Sequence, residues 1–209
     1  MKTLLDLENW NRKEHFLFFK QMDEPFFGLT IEIDCTKAYA TAKQLGISFF
    51  VYYLHKTIIA VNTIESFRYR INDNAIYIYD TIDVSATIMR EDKTFGFSLI
   101  EYSPDFEVFA TNTFKEMERI QNTPGLFTRE FKEINVIHFS TIPWVNFTSL
   151  SHARSSTFPD SCPKISFGKM MLTNEGKKTM PMSIHVHHGL MDGFHVGQFV
   201  ECFQNLMNE

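Results

Sequence analysis

The chain has 209 residues, 44% hydrophobic and 22% charged, with 9 Gly and 7 Pro, figures that exclude collagen-like, low-complexity and largely disordered chains. That length fits one large domain with a sizeable buried core. A net charge of −5 without any Lys/Arg-rich run argues against nucleic-acid binding. The opening residues carry Asp6 and Glu8 where a signal peptide needs an apolar stretch. The longest apolar run, 47–61, is broken by His55 and Lys56, too short to span a bilayer. Cys35, Cys162 and Cys202 are odd in number and unpaired in spacing, so neither a disulfide scaffold nor a zinc site is signalled. A cytoplasmic protein without a metal is the expectation. The 22 Phe predict a well-packed aromatic core or an aromatic-lined pocket.

Along the chain, Asn11 is positioned to cap a short helix over 12–20. Residues 26–34 read as a strand and the Ala-rich stretch 36–45 as a helix. Ser48 precedes a helix to about Val61, whose Phe50, Val51, Leu54, Ile58 and Val61 recur at helical spacing. Segments 64–89 and 95–100 alternate in strand fashion around turn residues such as Asn72-Asp73-Asn74, and 106–120 returns to helical spacing. Residues 134–140 form a strand. The Ser-rich segment 141–163 is long enough to suggest a functional loop. Two strands over 164–172 and 179–188 are joined by Thr173-Asn174-Glu175-Gly176. A final amphipathic helix, 192–207, places Val196, Phe199, Val200, Phe203, Leu206 and Met207 on one stripe. The sum is an α+β fold, a mixed sheet covered by helices on one face, within a single domain over 1–209.

The stretch from Met182 to His195 holds the densest chemistry. Strand alternation puts Met182, Ile184, Val186 and His188 on one face and Ser183, His185 and His187 on the other. His188 ends the strand before Gly189, and Asp192 then starts a helix that its carboxylate can cap. A lone His on an apolar face is most often a satisfied core residue. A strand end, a following Gly and an Asp four residues on favour a general base, since a neutral imidazole accepts a proton near pH 7. His185 and His187 lack an evident third ligand for a metal, and His195 reads as a packing or surface residue.

His187-His188-Gly189-Leu190-Met191-Asp192-Gly193 resembles the His-His-x-x-x-Asp-Gly signature of the CoA-dependent acyltransferase superfamily. Asn9-Trp10-Asn11-Arg12-Lys13-Glu14-His15-Phe16, the block 139–147 and Phe194-His195-Val196 narrow the resemblance to the chloramphenicol acetyltransferase family, in order across the whole chain. The resemblance implies His188 as the base that deprotonates the acceptor hydroxyl for direct attack on acetyl-CoA, the co-substrate. It implies Ser140 as the hydroxyl donor to the tetrahedral oxyanion, a kind of contact worth roughly 2.7–4 kcal/mol. Asp192 paired with Arg12 would support the site, a pairing that suits a planar guanidinium. Phe19, Phe27, Phe95, Phe127, His152 and Ser166 fall at acceptor-pocket positions, and Trp144 and Lys169 at CoA-channel positions.

Several residues depart from the family pattern. Phe19 stands where Tyr is common, His152 where an apolar residue is usual, Ser166 for Thr, His185 for Gln, and Gly189-Leu190-Met191 for Ala-Val-Cys. His152 makes the pocket more polar. The resemblance also implies a homotrimer with active sites at subunit interfaces, a small-molecule acceptor, antibiotic resistance as the output, and no nucleic-acid or membrane partner. The expected activity is acetyl transfer to a hydroxyl of chloramphenicol or a related small alcohol. The alternatives are another CoA-dependent acyltransferase with a different acceptor, and a non-catalytic ligand-binding protein on the same fold.

Overall fold

The computed structural model describes residues 1–131, 133–154 and 160–209. In chain order the strands are β1 (Lys2–Leu4), β2 (Phe26–Asp34), β3 (Tyr69–Asn72), β4 (Ala75–Tyr79), β5 (Asp83–Met89), β6 (Phe95–Phe97), β7 (Val136–Thr141), β8 (Lys164–Phe167), β9 (Met171–Leu172) and β10 (Lys178–His187). The α-helices are α1 (Lys13–Phe19), α2 (Thr36–Gln44), α3 (Phe49–Thr63), α4 (Phe106–Gln121) and α5 (Gly193–Met207), with a 3-10 turn over Glu65–Arg68. The central sheet runs β2-β10-β8-β7-β5-β6, with β9 also on β10, and β1-β4-β3 form a second, smaller sheet. The α+β expectation holds. Among the described residues no helix is long and apolar enough to cross a membrane.

Period-two alternation sorts the central sheet into two unlike faces. One row reads Leu29, Ile184, Ile165, Phe139 and Ala86 across β2, β10, β8, β7 and β5. On that face Phe167 and Phe139 meet Tyr53 of α3, and Phe167 meets Phe203 of α5. The opposite face reads Thr30, Ser183, Ser166 and Ser140 in one row. The next row is Gly28, His185, Lys164, His138 and Ser85. Gly28 is required there, because a Cβ would lie 2.3 Å from the His185 ring.

β7 and β8 run parallel, and parallel neighbours need a crossover of a dozen or more residues. The length of the 141–163 connection therefore has a topological cause besides any functional one. Of that segment, residues 155–159 lie outside the described residues.

Several boundaries differ from expectation. Arg12, not Asn11, occupies the α1 cap position and makes no side-chain cap bond. Ser48 takes the α3 cap position but also makes no side-chain cap bond; the helix is held by burial of Val51, Leu54, Ile58 and Val61. The alternating stretch 64–89 divides between the 3-10 turn and strands of two sheets. The strand expected over 164–172 breaks after Phe167. There the Val145 carbonyl and the Phe147 ring close on Gly168, 2.8 and 2.9 Å from where a Cβ would stand. Arg70, fully buried, ties the small sheet to the start of β7. It donates to the carbonyls of Phe67 (2.9 Å), Tyr69 (2.6 Å), Ile134 (3.0 Å) and Val136 (2.7 Å).

Candidate active site

His188 follows the last residue of β10, its backbone N–H bonded to the Pro25 carbonyl at 2.8 Å. The ring stacks on Phe19 of α1 at 3.9 Å and 6°, and meets Phe27 of β2 at 4.6 Å. Phe27 pairs with Val186, so His188 emerges at the end of the helix-covered face. Its Nδ1 is buried without a hydrogen-bond partner among the described residues. The next residue, Gly189, is tight against the site: a Cβ there would meet the His187 ring at 3.0 Å and Phe16 at 3.3 Å.

Arg12 braces this turn. Its Nη1 donates to Asp192 Oδ2 at 2.5 Å and its Nη2 to the His188 carbonyl at 3.4 Å. Asp192 caps α5 by accepting from the Phe194 N–H at 3.1 Å. Burial pushes the Asp192 carboxyl up, but hydrogen bonds from Arg12 and His195 outweigh it and hold it at about 2. His195 is therefore not a mere surface residue. Its Nδ1 lies 2.8 Å from Asp192 Oδ1, an (i, i+3) contact that helical spacing from the cap makes legible.

Ser140 sits elsewhere, near the end of β7 on the polar face. Its Oγ lies 2.6 Å from Ser166 Oγ on β8. Ser140 is level with Ser183 across two strand spacings, and His188 lies five residues farther along β10. At about 3.4 Å per residue and 4.8 Å per strand, the two Cα atoms are roughly 20 Å apart. They also belong to opposite faces. One chain therefore does not bring His188 and Ser140 together.

Ser140 lines a cavity of about 690 Å³ on the polar face. One wall is Phe95, Phe97 and Phe127, with ring centroids 5.5 and 5.1 Å apart along the series. Beyond Ser140 the lining turns polar, with His138, His152, Arg154, Asp160 and Lys164. Phe95, Phe127 and His152 thus share the cavity with Ser140, and Ser166 supports it from below. Phe19 and Phe27 do not line it; they flank His188. Trp144 and Lys169 are exposed, and the Lys169 N–H donates at 2.8 Å to the carbonyl of Val145, the residue after Trp144.

The polar side chains are neutral or paired. Burial lowers His138, His152 and His187 to about 4. Burial lowers His185 too, with Arg154 and Lys164 adding to it. Lys164 pairs with Asp160, and Arg154 pairs with Glu24 at 2.6 Å. Sequence reasoning missed His138, although its place two residues before Ser140 puts both on one face.

Donor atoms of His138, Asp160 and Cys162 lie within 4.8 Å of one another. The Lys164 ammonium already occupies Asp160. Burial raises the Cys162 thiol, though Arg70 opposes it. A cation entering there would displace a lysine and compete with an arginine, and the thiol would have to ionise first.

The sequence profile described as chloramphenicol acetyltransferase matches residues 1–204. The chain is 31% identical over 208 residues to chloramphenicol acetyltransferase 3 of Escherichia coli, covering 99% of this chain and 97% of that one. It is also 31% identical over 202 residues to a chloramphenicol acetyltransferase of Bacillus pumilus, covering 96% and 91%. A solved chloramphenicol acetyltransferase superposes with a TM-score of 0.91 at 32% identity, over 99% of this chain and all of that one. The dihydrolipoamide acetyltransferase of Azotobacter vinelandii shares the fold at a TM-score of 0.66 and 11% identity, over 94% and 86%. The profile over nearly the whole chain, the full-length relatives and the shared architecture agree: this chain belongs to the chloramphenicol acetyltransferase family.

Proposed function

We propose that the chain, acting as one acyltransferase domain, transfers acetyl from acetyl-CoA to a hydroxyl of chloramphenicol or a related small alcohol. His188 takes the hydroxyl proton, and with Nδ1 buried, Nε2 is the nitrogen that faces the acceptor. The freed oxygen attacks the thioester carbonyl carbon, and Ser140 donates to the oxyanion that forms there. Collapse breaks the carbon–sulfur bond. The imidazolium returns its proton to the leaving thiolate, so the products are the acetyl ester and free CoA. Asp192 moves no proton; with Arg12 it holds the turn that carries His188. Trp144 and Lys169, exposed beside the end of β7, are the residues we assign to the CoA path to Ser140.

The observation that carries this reading is the clamp on His188, a ring stacked on Phe19 above an Arg12–Asp192 ion pair. The separation of His188 from Ser140 supports an assembly in which one chain supplies the base and a neighbour the cavity. A homotrimer is the assembly we propose, working in the cytoplasm, with antibiotic resistance as the output where chloramphenicol is the acceptor.

The test is thiol release from acetyl-CoA, run with chloramphenicol and a panel of small alcohols. His188→Ala should lower the rate by about 10²–10⁴-fold while size-exclusion mass and the thermal midpoint stay unchanged. A variant that keeps most of its rate removes His188 as the base. Binding of acceptor without any thiol release would favour a non-catalytic protein on this fold.

A further inference from the structure

The cavity beside Ser140 ends in groups that an apolar acceptor tail would leave unsatisfied. Asp160 is already used, by the Lys164 ammonium and the Cys162 N–H. Lys164 has three N–H donors, of which Asp160 and the Cys162 carbonyl take two. Arg154 meets Glu24 only through Nη2. Its Nε and Nη1, with Nε2 of His152, are buried without a partner among the described residues. The guanidinium is further fixed by lying over the Phe26 ring, 4.5 Å from its centroid. The unmet groups at this end are therefore mostly donors, and a guanidinium accepts no hydrogen bond. Arg154, Lys164 and His152 line this end of the cavity, and the two cations among them keep donors that no described residue matches, so a ligand that supplies oxygens there is favoured over one that does not.

Lys164 lies on β8, one strand over from Ser140 and two residues back from Ser166, its neighbour, so this end lies roughly 8 Å from the oxyanion position. A short acyl or alkyl tail covers that distance. We propose that the acceptor of this chain carries an anionic, oxygen-rich group on the side of its hydroxyl remote from the Phe95–Phe97–Phe127 wall. Arg154, with His152 beside it, selects for that group. The inference rests on the acetyl-transfer reading above and adds the acceptor class. The bonds made and broken are unchanged, and the anionic group takes no part in them.

The experiment uses two acceptors built on the same nitrophenyl aminodiol. One is N-acylated with butanoyl and the other with succinyl, so they differ by a terminal methyl against a carboxylate. Wild-type kcat/KM should favour the succinyl acceptor by about 10- to 100-fold, the range of charge-assisted hydrogen bonds. Arg154→Met should erase that ratio, mainly through KM, by lowering kcat/KM for the succinyl acceptor far more than for the butanoyl one. Arg154→Lys should keep part of the preference. Glu24→Gln removes the competing carboxylate and should enlarge it. A wild-type preference for butanoyl overturns the proposal, as does an Arg154→Met variant that slows both acceptors equally while its thermal midpoint holds. If neither acceptor releases thiol from acetyl-CoA, the acetyl-transfer reading itself fails and takes this one with it.

Discussion

The two faces of the central sheet divide the work of the molecule. Under α3 and α5, side chains such as Phe139, Ile165, Phe167 and Ile184 are at most 1% exposed, and each such burial contributes about 1.5–3 kcal/mol. The opposite face spends the same strands on hydroxyls, imidazoles and paired charges around a cavity. Adjacent residues of one strand therefore have unlike duties: Ser166 touches Ser140, while Phe167 touches Phe203. Stability and specificity can then vary separately, because an alternating strand carries two independent sets of side chains.

That division is open to direct challenge. Phe167→Ala should cost about 3–5 kcal/mol of unfolding free energy, read from denaturant midpoints. A loss below about 1 kcal/mol would mean the helix-covered face is not the main core. Ser140→Ala should lower kcat by about 10²–10³-fold with a stability loss well below that of Phe167→Ala. A comparable loss of stability would blur the contrast between the faces.

The polar face should also be acid-labile. His138, His152 and His187 stay neutral in the fold down to about 4, against an ordinary 6.5. As pH falls below about 6.5 the unfolded chain binds protons that the folded chain does not. Stability should fall gradually from there to about pH 4. Asp192 acts with the opposite sign. Held at about 2 against 3.8, it stabilises the fold above the ordinary value, and that support is lost only as pH falls through about 2. A fold whose midpoint is flat between pH 6.5 and 4 would show that those imidazoles are not buried neutral.

Much of this was legible in the sequence because it is local. The alternation from Met182 to His188 separated the faces of β10 correctly, 26–34 matched β2 to the residue, and Asp192 was readable as a cap. The partner of Arg12 was less so. Arg12 finds Asp192 180 positions away, and only the family motif pointed to that pair. Phe19 and Phe27 were grouped with Phe95 and Phe127 as one pocket. A single chain separates them, since register across five strands is not written in any window of sequence. The 64–89 segment does hold strands, β3, β4 and β5, but alternation says that a strand exists and not which sheet it joins. Arg154 gave no periodic signal at all, and its contact with Glu24 depends on a loop returning to the start of β2.

The opposed placement of His188 and Ser140 has a consequence for mixed assemblies. In the trimer proposed above, two unlike patches would meet head to tail across copies, a kind of contact that forms a ring when its rotation closes. Two dead parents, one lacking the imidazole and the other the hydroxyl, would then recover turnover when denatured and reassociated together. At some seams each parent would supply what the other lost.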